Sequence, residues 1–569
     1  MKKFSKILTV VMCFILALST FTGCKPQSKQ DPNTLDIYVL HTGYGHDWAE
    51  ILKDEFLKQD WVKAKYPNLK VKVGYNDMTG YLGKQMQLGS ASKYDLMFAA
   101  YAFGYQQNAN VVDLTESVYN STVPGESVKF KDKMNASIYD KYTFNGDGKD
   151  KNTAVPFNMG SYSIFYNETK LNEIAPRIGK TVDNVVPVTT DELFYIIESV
   201  YQMNNNHETK FNFEAADANG YQKGYPFEYS IMGANNGYEY PMFTAWWAQY
   251  EGLHNYENFY YGLVEDMGGS TTTSKNVIKQ QGRLESLKVL EECFKYDNHY
   301  YVPNPAELDY LQAQVRVFSG KGLFHFNGDY LPEEMKPYYE GIKDEAGDQV
   351  VRYMKLPVIS SIVDRLPSIA TAASAHDMTT DEMLAKLIRD IDNDIATCQV
   401  SGVTKADYDA LIEARKMIYI SSGQCGILPS WSTTQEAAID FLRFMATDVA
   451  NAAVITGTGG LMMPFNYDYK ENNPEDYANL LASQKDKVDL LSNKVIPAVM
   501  VNGGECYPFG KAGLTPLKSM EYNSKVNFGA VFGEMGAKET AQTIYQREID
   551  FYTDELWEQL AQLAEPYFD

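Results

Sequence analysis

Between residues 35 and 99 the chain alternates strand-like and helix-like periods, and no other feature restricts the fold as much. Leu35-Asp36-Ile37-Tyr38-Val39-Leu40 alternates and is partly β-branched, which predicts a strand. Trp48, Ile51, Leu52 and Phe56 recur at helical spacing over 48–58, which assigns Trp48 to a core. A turn at Tyr66-Pro67-Asn68 leads into a second strand at 69–73. A second helix over 80–88 and a third strand over 94–99 follow. This βαβαβ order predicts a parallel sheet with right-handed crossovers. Ligands of such sheets sit at the carboxyl ends of the strands, here the loops around 43–47 and 99–101. A length of 569 residues exceeds a single core and implies two lobes or more.

The first residues set the compartment. Lys2, Lys3 and Lys6 precede an apolar run over 7–18, the pattern of a secretory signal over 1–23. Phe21-Thr22-Gly23-Cys24 resembles the lipobox of bacterial lipoproteins, with Phe21 where leucine is usual. The resemblance implies lipidation of Cys24 and a polar tether over 24–34, with two acyl chains anchoring the chain at the outer face of a bacterial cell membrane. No later segment is apolar for long enough to cross a bilayer. A net charge of -23 argues against nucleic acid and anionic lipid as partners. Cys293, Cys398, Cys425 and Cys506 have no paired spacing and are expected as free thiols, Cys398 with Cys425 being the one pair worth checking.

Catalytic and metal signatures are missing from the sequence. It holds no HExxH, GxSxG or P-loop pattern, and its seven histidines have no metal-ligand spacing. Asn145-Gly146-Asp147-Gly148-Lys149 fails the acidic spacing of a calcium loop and reads as a hairpin turn. Asp390, Asp392 and Asp394 do not converge on a helix and read as a solvated face. No catalytic residue, metal ligand or cofactor is therefore assigned.

Four stretches, in order, carry a resemblance. They are Lys65-Tyr66-Pro67-Asn68-Leu69-Lys70-Val71, the segment 155–171 with Pro156 and Tyr166-Asn167-Glu168, Gly320-Lys321-Gly322 with Asn327-Gly328-Asp329-Tyr330, and Glu436-Ala437-Ala438 with Phe441-Leu442, Gly457 and Pro464. Together they resemble the family 1 extracellular solute-binding proteins, the carbohydrate receptors of ABC importers. The resemblance implies an α/β fold of two lobes, like the periplasmic binding proteins, closing about an interlobe hinge. It implies chain crossings near Asn158, near Leu356-Pro357 and near Pro464. The first lobe would then combine 35–157 with 357–463, and the second 158–356 with 464–569. This chain is longer than its family, with one excess between Gln202 and Gly262 and another over about 362–423. The latter holds helix-like stretches at 379–396 and 405–419 and is expected as a helical insertion packed on the first lobe.

A sugar cleft needs aromatic platforms and polar groups that meet hydroxyls. The chain carries 42 Tyr, 28 Phe and 6 Trp. Ligand contacts are expected from Tyr44, His46, Asp47 and Tyr101 in the first lobe, and from Asn158 and Tyr162 at the first crossing. In the second lobe they are expected from Asn327, Asp329 and Tyr330, the last of which aligns with a sugar-stacking aromatic of the family. Trp246, Trp247, Trp431, Tyr507 and Phe509 are further aromatic candidates, with one of the two adjacent tryptophans expected in the core. Asp47 has an alternative role as N-cap of the helix beginning at Trp48. The function implied is capture of a carbohydrate, an oligosaccharide by size, and delivery to ABC permease subunits by a monomer held to the membrane only through its lipid. A receptor for another polar solute such as a peptide, and a surface glycoside hydrolase, are the alternatives.

Overall fold

A computed structural model describes residues 31–568, apart from 101, 106–107, 137, 140–143, 147–148, 206–224, 228–237, 266–270, 302–308, 422–423, 493–495, 501–506, 522–527 and 534–537. The leader, Cys24, most of the tether, Tyr101 and Cys506 lie outside the described residues. No helix among the described residues is long and apolar enough to cross a membrane.

Eleven strands build the two main sheets: β1 (Thr34–Leu40), β2 (Lys70–Asn76), β3 (Leu96–Ala100), β4 (Ala154–Pro156), β5 (Gly160–Asn167), β6 (Tyr225–Phe227), β7 (Gly322–Gly328), β8 (Val351–Met354), β9 (Met417–Ser421), β10 (Gln424–Ile427) and β11 (Ile496–Met500). The first sheet runs β2-β1-β3-β10-β4. Its first three strands are parallel, as the alternation of elements predicts. β1 has neighbours on both sides and buries nearly every side chain, whereas β2 lies at the edge and exposes Lys70 and Lys72. The helix Asp47–Lys58 buries Trp48, Leu52 and Phe56 against this sheet, and Trp48 stacks on Phe157 at 4.1 Å. The second sheet runs β11-β9-β5-β7-β6, with β8 also on β5. The expected hairpin at 145–149 is present as two short antiparallel strands, Phe144–Gly146 and Lys149–Lys151.

Each sheet has its own core. One large apolar cluster includes Leu35, Trp48, Phe98, Phe157 and Phe441, and the other Ile164, Trp246, Phe324, Leu384 and Tyr507. The chain passes between lobes from β4 to β5 and again from β9 to β10. These passages are paired with one another: β5 bonds β9 from Gly160 to Tyr162, and β4 bonds β10 from Ala154 to Pro156. β9 divides its side chains between the cores, Met417 and Tyr419 to one and Ile418 and Ile420 to the other.

Three expectations about the lobes are corrected. The chain does not cross at Leu356-Pro357. Val358 N donates to Val188 O at 2.8 Å and the Pro357 carbonyl accepts from Trp246 Nε1 at 3.0 Å, which pins this segment to the second lobe. Nor does it cross at Pro464, whose carbonyl accepts from Asn135 N at 2.9 Å in the first lobe. Phe465, Tyr469, Val488 and Leu491 stay in the first core, and only β11 rejoins the second sheet. The helix Ala482–Ser492 thus touches both halves: Val488 is in the first core, while Asp486 accepts from Arg352 Nε of the second lobe at 2.6 Å.

The helical insertion packs on the second lobe rather than the first. Its helices Pro367–Ala375, Thr380–Asp392 and Lys405–Lys416 bury Ile369, Leu384, Leu387 and Leu411 in the second core. The last helix ends at Lys416, because Met417 to Tyr419 belong to β9, where branched and aromatic side chains fit a strand buried on both faces. Asp392 faces inward, bonded by Arg415 Nη2 at 2.7 Å, while Arg415 Nη1 reaches Leu356 O at 2.9 Å. The expectation of a solvated acidic face therefore fails at Asp392 and holds for Asp394, which is exposed. Cys293, Cys398 and Cys425 are free thiols.

Burial alone would raise the Asp392 carboxyl, but Arg415 and Lys355 outweigh it and hold it below its ordinary value of 3.8. An acid depressed in the folded state stabilises above its unfolded value, and that contribution is lost as pH falls through the folded one. Arg415→Ala, which strands a half-buried carboxylate, is expected to cost about 3 kcal/mol in urea denaturation at neutral pH. Asp392→Asn is expected to flatten the acid limb of stability below pH 3.8.

Candidate functional site

The segments that follow β1 of the first sheet and β7 of the second meet at the lobe boundary. The loop 41–47 leaves β1 and folds back through a bridge between Thr42 and Gly45, where Gly45 takes φ +65°. That turn aims Tyr44 across the lobe boundary. Its hydroxyl donates to the Asp329 carboxylate, which follows β7 in the other lobe. Asp329 also accepts from Ser161 N and Ser161 Oγ, both at 3.2 Å, and Ser161 Oγ lies 3.0 Å from the Tyr353 hydroxyl. Lys487 Nζ donates to the Asp329 carbonyl at 3.3 Å.

Tyr330 completes the boundary. Its ring meets Tyr44 edge-on at 5.4 Å and Tyr162 at 6.0 Å. It lies so close to two glycines that a Cβ on Gly43 would stand 2.5 Å from Tyr330 Cδ2, and one on Gly328 would stand 2.2 Å from Cε1. Asn158, in the first passage between lobes, is buried, and its Oδ1 has no hydrogen-bond partner among the described residues. Beside this aromatic group opens a cavity of about 590 Å³. Its walls are the loop 41–47 and Thr458 on one side and Tyr310, Leu311 and the segment 333–338 on the other. That volume falls within the ordinary range for small-ligand sites.

Burial shifts the carboxyls toward their neutral forms both inside the boundary and at the cavity wall. Burial raises the Asp329 carboxyl, opposed by Lys487 and by the bonds from Tyr44 and Ser161. Burial lowers Lys487, opposed by Asp329 and Glu333. The Tyr44, Tyr330 and Tyr353 hydroxyls are pushed well above their ordinary value, first by burial, and stay protonated. Burial also raises Glu333 and Glu334 at the cavity wall. Lys336 and Lys487 work against this at Glu333 and Asp47 adds to it, while Gln314 works against it at Glu334.

Of the residues expected at the site, the structure brings together Tyr44, Asp329, Tyr330 and Tyr162, with Asn158 in the adjoining passage. His46 and Asp47 lie at the lip. The His46 ring stacks on Tyr75 at 3.6 Å. Asp47 is the first residue of its helix rather than the cap; the N-cap position is His46, whose side chain makes no capping bond. Asn327 is buried beside the site and satisfied within its own strand, with Nδ2 at 3.0 Å from His325 Nε2 and its oxygen accepting from Gly328 N.

The other aromatic candidates lie elsewhere. Trp246 and Trp247 are both fully buried, on a helix, Glu239–Glu251, that is apolar nearly all round and enclosed by the second core. Tyr507 bonds Glu257 at 2.7 Å and stacks on Tyr260, and Phe509 stacks on Trp557 at 4.7 Å, both in that same core. Trp431 packs on the first core near the amino end of β3, away from the lobe boundary. The next residues, Ser432 and Thr433, bond Asp95, which precedes the amino end of β3. Glu333, Glu334, Tyr353, Tyr310, Tyr338 and Lys487 are site residues the sequence reading missed. Glu333 and Glu334 had a signal, since they follow Tyr330 within one turn. Lys487 had none, because it arrives from a distant helix.

No protein-family model and no curated protein sequence matches the chain. Among solved structures it is similar to one described as a chitin oligosaccharide binding protein, with a TM-score of 0.52 and 12% identity over 93% of this chain and 99% of that one. It is also similar to a structure described as a "probable secreted solute-binding lipoprotein" from Streptomyces coelicolor, with a TM-score of 0.51 and 12% identity over 92% and 99% of the two chains. At that identity the likeness is one of fold, and the fold is the two-lobe α/β fold of the solute-binding proteins. The close approach at Gly43 yields a prediction: Gly43→Ala adds a methyl whose nearest neighbours are atoms of the Tyr330 ring, from the other lobe. It is expected to enlarge the radius of gyration in solution scattering while leaving the melting temperature of the lobes unchanged.

Proposed function

We propose that this chain is a lipid-anchored receptor at the outer face of a bacterial cell membrane. It captures a carbohydrate, of oligosaccharide size, by closing its lobes and passes it to the permease subunits of an ABC importer. One observation carries the reading: Tyr44 from one lobe and Asp329 and Tyr330 from the other meet at the boundary, beside a cavity both lobes line. Sugars present C–H faces and hydroxyls, and a group of neutral tyrosines offers flat rings together with donors and acceptors. The unpartnered Asn158 oxygen adds a buried acceptor that a hydroxyl would satisfy. A ligand touching both lobes favours the closed arrangement by its differential contacts.

The anchor rests on the sequence around Cys24, and the delivery step on the family that the four ordered stretches resemble. The carboxylate most central to the site, Asp329, is occupied by Tyr44 and Ser161, which suits positioning rather than acid catalysis. The names of similar structures, among them an oligosaccharide binder, support a sugar as the ligand.

Calorimetric titration with cello-, xylo-, malto- and chito-oligosaccharides tests the reading. At least one series is expected to bind, and Tyr330→Ala to weaken it tenfold or more, a loss of about 1.4 kcal/mol. No binding to any glycan, with tight binding to peptides, would overturn the sugar assignment.

A further inference from the structure

We propose that the interlobe cavity is an outer sugar station, separate from the buried ring group around Tyr330, and that it selects for chain length. The inference rests on the carbohydrate reading above. Large aromatic side chains left in water are informative when they gather at one place. Three do so at this mouth. Tyr310 and Tyr338, at 46% and 40% exposure, line the cavity from the second lobe. Tyr75, at 56% exposure, stands at the first-lobe lip and is braced by His46, whose ring is parallel to it at 3.6 Å. His41 links this pair to the cavity wall, lying 5.6 Å from Tyr75 and 5.0 Å from His46, ring to ring.

None of these rings is needed to close a core. Tyr75 is on edge strand β2, Tyr310 opens a helix, and Tyr338 lies in a one-turn segment, Lys336–Tyr338, with no buried residue. Tyr310 and Tyr338 line the same cavity as Glu333 and Glu334, whose carboxyl oxygens can accept from hydroxyls. Rings with adjacent carboxyls are what a pyranose demands of a surface: an apolar face to lie on and acceptors at its rim. A monosaccharide held at Tyr330 would leave this station empty. An oligosaccharide would run from the inner rings outward through the mouth and fill both. The outer rings therefore add affinity only for the longer chain.

The experiment measures the ratio of affinities for pentamer over dimer in each oligosaccharide series, in the full chain and in the Tyr310→Ala/Tyr338→Ala double variant. The ratio is expected to be tenfold or more in the parent and to fall to near one in the double variant. Tyr310→Phe/Tyr338→Phe, which keeps the rings and removes the hydroxyls, is expected to retain most of it. Tyr195→Ala, on a remote exposed ring, serves as control. A dimer that binds as tightly as the pentamer, or a ratio that survives loss of both rings, overturns the outer station while leaving the sugar reading in place. Failure of every series to bind overturns both.

Discussion

The paired passage between the lobes is the constraint from which the rest follows. β4 and β5 run one way across the boundary and β9 and β10 return beside them, bonded on each side of it. Such a ladder resists shear, because sliding by one residue would turn every side chain of β9 to the wrong core. It yields more readily to bending, since the two passages are short and the lobes bury separate cores. Bending is thus the softer mode that such a ladder allows, and it would carry the strand ends that face the boundary toward or away from one another.

Within that frame the site is assembled by absence of bulk. Gly43 and Gly328 remove the Cβ atoms that would separate the lobes, and the ring of Tyr330 occupies the space between them. Asp329 is then enclosed and becomes costly to ionise, and the Tyr44 hydroxyl and Ser161 satisfy it across and along the boundary. The helix Ala482–Ser492 adds Lys487 from a third direction. Its ties to both lobes bring an amine donor to the Asp329 carbonyl that neither sheet supplies.

Much of this was legible in the sequence. The alternation over 35–99 gave the parallel first sheet, because local period and burial agree there. The Asn327-Gly328-Asp329-Tyr330 stretch and Tyr44 located the boundary. Aromatic content was a poorer guide. Trp246, Trp247, Tyr507 and Phe509 are chemically suited to a sugar and are core residues, since composition does not say which face a ring presents. The insertion shows the same limit. Its apolar stripe was readable, but a stripe does not name its partner, and it packs on the second lobe through Ile369, Leu384 and Leu411. Both misplaced crossings came from the family resemblance alone, while backbone bonds with Val188 and Asn135 hold the chain to its lobe.

The carboxylates at the lip have one more consequence. Burial raises Glu333 first of all, and Asp47 adds to that rise while Lys336 and Lys487 oppose it, so the wall carries both signs of charge. A unit charge brought to 4 Å from any one of these charged groups would gain or lose about 1 kcal/mol even in water. Such contributions are screened as ionic strength rises, least where the wall is buried.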